Sequence, residues 1–322
     1  MRLMSTTEAN LRHFLSITDF SRAEILALLA QAQRLKQTLK KTGRNQPVLA
    51  GKSLAMIFEK PSLRTRISFE IGMDQLGGHA LYLAPADIGL GTREPVSDVG
   101  RVLSSMADII MARTFAHQTV TDLAASSTVP VINALSDHEH PCQILADFLT
   151  ILEVKGSLRG LTLAFIGDAD NNVTHSLCLG AALLGMNFSV GAPEGYQMAL
   201  GVVQQATDLA KKTGVTITQT TDPKEAVAGA DVVITDTWVS MGDEAEKEIR
   251  LKTFGAYQVT SELMSLAKKD AIFLHCLPAY RGNEVAADVI DGPQSHVFAE
   301  AENRLHAQKA LILKLLGIEI YA

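Results

Sequence analysis

Cysteine is scarce in this chain, with three among 322 residues, and Cys142, Cys178 and Cys276 lie far apart. An odd number without paired spacing excludes a disulfide framework, offers no zinc-ligand pattern and points to a reducing compartment. Long apolar runs are missing too: nothing approaches the ~18–20 residues of a membrane span, and the opening MRLMSTTEANLRHFLSITDF has no apolar leader core. The expectation is a cytoplasmic protein with no membrane partner. Positive charge has no excess, since 29 Lys and Arg against 35 Asp and Glu give a net charge of −6. No overall field would hold nucleic acid, so any basic site is local and its anion small. The G-x-G-x-x-G spacing of a dinucleotide turn is also lacking. Its nearest approach, GDADNNV (167–173), argues against a nicotinamide cofactor.

What is present is 47% hydrophobic and 20% charged residues, the balance of a globular enzyme, over a length that suits two domains of about 150 residues each. Short apolar runs alternate with longer helical patterns, as in parallel sheets with crossover helices. The expected strands are 53–58, 79–84, 107–112 and 130–135 in the first half, then 161–167, 188–193, 215–220, 231–236 and 271–276. The fold class is therefore α/β, with two domains that each hold a central parallel sheet flanked by helices. Residues 1–150 form the first domain and 151–302 the second. The closing stretch, 303–322, reads as an amphipathic helix that packs back on the first domain. The chain has no internal repeat.

The unusual residues fall just past the strands, in FEKPSLRT, ARTFAH, SDHEHPCQ, GDADNN, DTWVSMGD and HCLPAYRG. Ligands of open α/β sheets bind beyond the carboxyl ends of the strands, so these segments point to one cleft. In PSLRTR, Pro61 suits a first helical turn, and Ser62 can satisfy free backbone donors. A helix start with Arg64 beside it suits phosphate, although a capped helix with solvated arginines accounts for the segment alone equally well. Phe69, Met73 and Leu76 share one helical face and belong to the core. Arg113, His140 and Gln143 supply a cation, a ring N–H and an amide able to polarise a carbonyl. Asp236, Ser240 and Met241 suit the ammonium and carboxylate of an amino acid, or are a surface loop. Asn171 and Asn172 are polar contacts or turn residues. Cys276 beside His275 makes an awkward nucleophilic dyad, because neighbours on a strand face opposite ways. A buried thiol, or one that orients an amine together with the Leu277 carbonyl, fits better.

Taken in order, PSLRTR, MAR, HPCQ, GDADNN, DTWVSMG, HCLP and ENRLHAQKA resemble the aspartate/ornithine carbamoyltransferase family, on its ornithine branch, over essentially the whole chain. The resemblance implies transfer of the carbamoyl group of carbamoyl phosphate to the δ-amine of L-ornithine, with no metal or organic cofactor. It implies carbamoyl phosphate on Ser62, Leu63, Arg64, Thr65, Arg113, His140, Gln143, Cys276, Leu277 and Arg304, with Arg113, His140 and Cys276 catalytic. Ornithine would lie on Asn172, with Asn171 as the alternative, and on Asp236, Ser240 and Met241. A homotrimer, or a multiple of one, with sites near subunit interfaces is implied as well. Two positions depart from the family pattern: Leu63 replaces a threonine and keeps only a backbone donor, and Gly89 replaces a glutamine or histidine that reaches a neighbouring subunit's site. The rivals are a carbamoyltransferase for putrescine or an acylated ornithine, and a non-catalytic binder that keeps the fold.

Overall fold

The computed structural model describes residues 11–239 and 244–320. Apolar runs bounded by polar turns become strands. The central ones are buried on both faces, as parallel strands covered by helices must be, while the edge strands His79–Leu83 and Ile217–Thr220 stay partly exposed. β1 (Ser53–Phe58), β2 (His79–Leu83), β3 (Ile109–Arg113) and β4 (Val131–Leu135) form a parallel sheet in the order β2-β1-β3-β4. β5 (Thr162–Ile166), β6 (Asn187–Gly191), β7 (Ile217–Thr220), β8 (Val232–Thr235) and β9 (Ile272–His275) form a second, in the order β7-β6-β5-β8-β9. Each expected strand is present, with ends displaced by at most two residues, and the two parallel-sheet domains are as expected.

Both strand orders contain a point where the chain leaves neighbouring strands in opposite directions. In the first sheet this lies between β1 and β3, with Phe58 opposite Arg113. In the second it lies between β5 and β8, with Ile166 opposite Thr235. A crevice opens at each such point, beyond the carboxyl ends of the strands.

Five helices matter for the site: α1 (Arg22–Thr42), α2 (Leu63–Gln75), α3 (Pro141–Lys155), α4 (Asn172–Leu184) and α5 (Val297–Leu315). α3 starts with Pro141 at its first turn, where the missing N–H costs nothing, and stops at Gly156, whose φ of 75° is the left-handed end glycine favours. Residue 150, the expected boundary, falls inside this helix. Its residues are buried continuously from Pro141 to Ile151, and one apolar cluster runs from the first sheet through α3 and α5 into the second. α5 packs on α1, α2 and α3. It starts at Val297, earlier than expected, and it is not amphipathic where it was expected to be. His306 to Leu313 are buried all round, because three helices enclose it. Among the described residues, no helix is long and apolar enough to cross a membrane.

Candidate active site

β1 delivers the chain to Ser62, which caps α2: its Oγ accepts from the Thr65 N–H at 3.3 Å. Pro61 thus precedes the cap rather than occupying the first turn. The first backbone N–H groups of α2 have no partner within the helix and face a cavity of about 380 Å³. Leu63 is 69% exposed, so what it offers inward is its backbone. Arg64 reaches across to the second domain, where its Nη2 donates to the Leu277 carbonyl.

β3 ends on Arg113, which is buried, and its Nε has no hydrogen-bond partner among the described residues. Burial, reinforced by Arg304 and Arg64, pushes its guanidinium down to about 10. His140, at the N-terminus of α3, donates its backbone N–H to Ser176 Oγ at 3.0 Å, while its ring Nδ1 has no partner among the described residues. Burial first, then Arg304, Arg113 and Arg64, hold this imidazole well below its ordinary pKa. It is therefore neutral at pH 7 and can donate one ring N–H. Arg304 comes from α5, donating through Nη1 to Gln143 Oε1 at 2.6 Å and through Nη2 to Thr65 Oγ1 at 3.4 Å. Converging guanidinium groups with so few counter-charges make a site suited to an anion.

The second domain lines the opposite wall. Asn171 caps α4, its Oδ1 accepting from Val173 N at 2.8 Å and Thr174 N at 2.9 Å while its Nδ2 donates to the Asp168 carbonyl at 2.6 Å. Its hydrogen-bonding capacity serves the turn. Asn172 lines the cavity and is held by Nδ2 donating to the Ser136 carbonyl at 2.6 Å. Asp236 follows β8, with Oδ1 accepting from Thr237 N at 2.7 Å and from the Cys276 thiol at 3.1 Å. Ser240 and Met241 lie outside the described residues.

β9 ends on His275, and the chain then bends through Leu277, whose φ of 56° is a left-handed conformation unusual for leucine. His275 holds this bend: Nδ1 accepts from Leu277 N at 2.9 Å, which leaves the proton on Nε2, 3.2 Å from Glu284 Oε1. Burial, then Asp236, pushes the Cys276 thiol well above its ordinary pKa. It is a thiol donor, not a thiolate nucleophile. Asp236, His275 and Cys276 bring potential metal-ligand atoms within 4.8 Å of one another, but both ring nitrogens of His275 are already spent on the bend.

The structure thus brings Ser62, Leu63, Arg64, Thr65, Arg113, His140, Gln143, Arg304, Asn172, Asp236, Cys276 and Leu277 around one cavity. Sequence reading missed Lys60 and Thr237 in the lining, and Asp147, Glu284 and Glu300 behind it. Asp147 follows Gln143 by four residues and Glu300 precedes Arg304 by four, so helical spacing was the available signal. The Gly89 loop folds on itself: Thr92 Oγ1 donates to the Gly89 carbonyl at 2.9 Å, and Arg93 Nη2 to the Asp87 carbonyl at 3.0 Å.

Residues 12–153 match the aspartate/ornithine carbamoyltransferase, carbamoyl-P binding domain, and residues 159–315 match the Asp/Orn binding domain of the same family. An ornithine carbamoyltransferase of Anoxybacillus flavithermus is 52% identical over 316 residues, covering 98% of this chain and 100% of the relative. One from Carboxydothermus hydrogenoformans is 56% identical over 306 residues, covering 95% and 98%. The solved structure of ornithine carbamoyltransferase from Pyrococcus furiosus superimposes with a TM-score of 0.92 at 48% identity, covering 97% of this chain and 99% of that one.

Proposed function

The chain belongs to the aspartate/ornithine carbamoyltransferase family, and from that premise we propose that it moves the carbamoyl group of carbamoyl phosphate to the δ-amine of L-ornithine, giving L-citrulline and phosphate. One observation carries the reading beyond family membership. Arg64, Arg113, Arg304 and the backbone at the start of α2 line one side of a cavity whose other side holds Asp236 and Asn172. A dianionic donor and a cationic amino acid would meet there.

In this reading the first domain, up to α3 and with α5 packed back on it, binds carbamoyl phosphate, and residues 151–302 bind ornithine. The phosphate lies on Ser62, the Leu63 backbone, Arg64 and Thr65. The carbamoyl oxygen faces Thr65, Arg113 and the neutral ring N–H of His140. The α-ammonium of ornithine pairs with Asp236, while Asn172, Ser240 and Met241 hold the rest of its amino-acid end. The neutral δ-amine attacks the carbamoyl carbon beside Cys276 and the Leu277 carbonyl. The negative charge that builds on the carbamoyl oxygen is met by donors already in place, so little reorganisation remains for the reaction step. Collapse of the tetrahedral intermediate expels phosphate toward the start of α2. Because the substrates sit on different domains, drawing the domains together would bring amine and carbonyl into attack distance and exclude water. A homotrimer or a multiple of one, as the family resemblance implies, is part of the same reading and is testable by sedimentation, and the cysteine usage supports a cytoplasmic location.

The test is an acceptor panel with purified protein and carbamoyl phosphate. Ornithine should exceed putrescine in kcat/KM by a factor on the order of 10⁴, because putrescine leaves the amino-acid contacts unpaired. Comparable values would move the protein to the putrescine-using class.

A further inference from the structure

Behind the cavity wall, α3 and α5 bring two carboxylates together where no solvent reaches. Asp147 on α3 and Glu300 on α5 are each about 1% exposed, and both lie within reach of one amide nitrogen. Gln143, also 1% exposed, stands between them and the cavity. Its Nε2 donates to Asp147 Oδ1 at 2.8 Å and to Glu300 Oε1 at 2.8 Å. An amide nitrogen carries two hydrogens, and both are spent. Its Oε1 accepts from Arg304 Nη1 at 2.6 Å, which leaves one lone pair as the only hydrogen-bonding capacity the side chain can offer a ligand. Reversing the amide would set its oxygen against two carboxylates and its nitrogen against a guanidinium, so the orientation is forced. Glu300 is itself pinned, its Oε2 accepting from the His275 N–H at 2.9 Å.

We infer that Asp147 and Glu300 are positioning residues that lock Gln143 as a pure acceptor toward the cavity, so that the site selects a phosphoryl donor whose transferred group carries N–H. This rests on the carbamoyl-transfer reading and extends it. A carbamoyl group presents an NH₂ to that lone pair, whereas an acetyl group presents a methyl. Phosphate oxygens only accept, so the lock also keeps the phosphate end away from Gln143. Two buried carboxylates gathered on one amide nitrogen disfavour a double negative charge, so the pair keeps one proton. Burial, and for Glu300 the neighbouring Asp147, raises both above the ordinary carboxylate range.

The arrangement predicts an asymmetry. In Asp147→Asn, the new amide oxygen keeps the Gln143 N–H and the new N–H replaces the pair's proton, so every partner stays satisfied. Both Glu300 oxygens accept from N–H groups, so Glu300→Gln sets an NH₂ against one of them and releases Gln143.

Calorimetric titration of the full-length protein with carbamoyl phosphate, acetyl phosphate and inorganic phosphate reads this directly. The wild type should prefer carbamoyl to acetyl phosphate. Asp147→Asn should keep that ratio within about threefold, and Glu300→Gln should lower it roughly tenfold, the worth of one hydrogen bond, with phosphate affinity held within about threefold. Should Glu300→Gln not fold, Asp147→Ala, which frees one Gln143 N–H, should lower the ratio where Asp147→Asn keeps it. An unchanged ratio in Glu300→Gln, an equal loss for all three ligands, or an Asn variant that behaves like Ala would overturn the inference. A wild type that binds none of the three would instead overturn the carbamoyl-transfer reading.

Discussion

Replacing Arg113 by methionine should raise the stability of the ligand-free protein while removing most of its activity. The guanidinium is buried at the end of β3, its Nε has no partner among the described residues, and its pKa drops from the ordinary arginine value to about 10. At about 1.4 kcal/mol for each tenfold change, that drop corresponds to a cost of about 3 kcal/mol for keeping the charge in the fold. The sign follows from the direction of the shift. A cation whose folded pKa lies below its unfolded one is destabilising at every pH below the folded value, and is relieved only as pH rises from there toward the ordinary arginine value. At neutral pH the whole cost is present, and methionine fills similar space without it. With an unfolding entropy of roughly 2.1 cal/mol/K per residue, a chain of this length should gain about 4 °C in Tm. In the same variant kcat should fall by about 10²–10³, the loss typical of removing one donor to a developing oxyanion. Phosphate should protect the wild type more than the variant, because the wild type adds the Arg113 charge to those of Arg64 and Arg304 around the anion. The assay is thermal unfolding with and without phosphate, alongside citrulline production. A variant that is less stable without ligand, yet gains as much from phosphate as the wild type, would refute the reasoning.

Gly89→Gln should lower Tm by about 1–3 °C without tightening carbamoyl phosphate binding, as the left-handed backbone costs a non-glycine residue roughly 1–2 kcal/mol. Gly89 has a φ of 59°, and a Cβ there would lie 2.7 Å from the Arg93 Cβ; calorimetry showing tighter binding would reverse this reading. kcat/KM for ornithine should climb steadily with pH across neutrality, since only the unprotonated δ-amine attacks and its pKa is near about 10. His140 is held well below its ordinary pKa, so it stays neutral over that range and adds no step of its own; a flat profile with chemistry rate-limiting would contradict this. Arg250→Ala should destabilise the fold by about 3–5 kcal/mol, because it strands a buried carboxylate. Arg250 Nη1 lies 2.6 Å from Asp168 Oδ2, and both side chains are nearly buried; equilibrium unfolding in urea measures the loss.

The sheets were legible because parallel strands carry their burial as plain apolar runs, and the site was legible because its residues follow those runs directly. Arg113 closes β3, Asp236 follows β8 and Cys276 follows β9, so strand position alone sent them to one place. The supporting residues were harder to read. Glu300 and Asp147 look like ordinary surface charges on their helices, and only the packing of α5 against α3 shows that they face each other. Asn171 and Asn172 are equivalent as letters. The cap geometry of α4 commits the first to the turn and leaves the second facing the cavity. The burial of α5 on all sides was hidden for a similar reason: Asn303, Arg304, Gln308 and Lys309 read as a polar face, but each is buried. Lys309 is satisfied there by Asn45 Oδ1 and Gln75 Oε1, each at 2.7 Å.

The central claim, that Arg64, Arg113, Arg304 and His140 hold a carbamoyl donor against an amine bound by Asp236, is tested most directly by product stoichiometry. Purified protein given carbamoyl phosphate and L-ornithine, with no added metal or organic cofactor, should form citrulline and phosphate one for one. Asp236→Asn should raise the KM for ornithine by roughly 10²-fold or more, the penalty for leaving the α-ammonium without its carboxylate, while carbamoyl phosphate affinity stays near the wild-type value. Phosphate released without citrulline, or an Asp236→Asn variant with unchanged ornithine KM, would contradict the account.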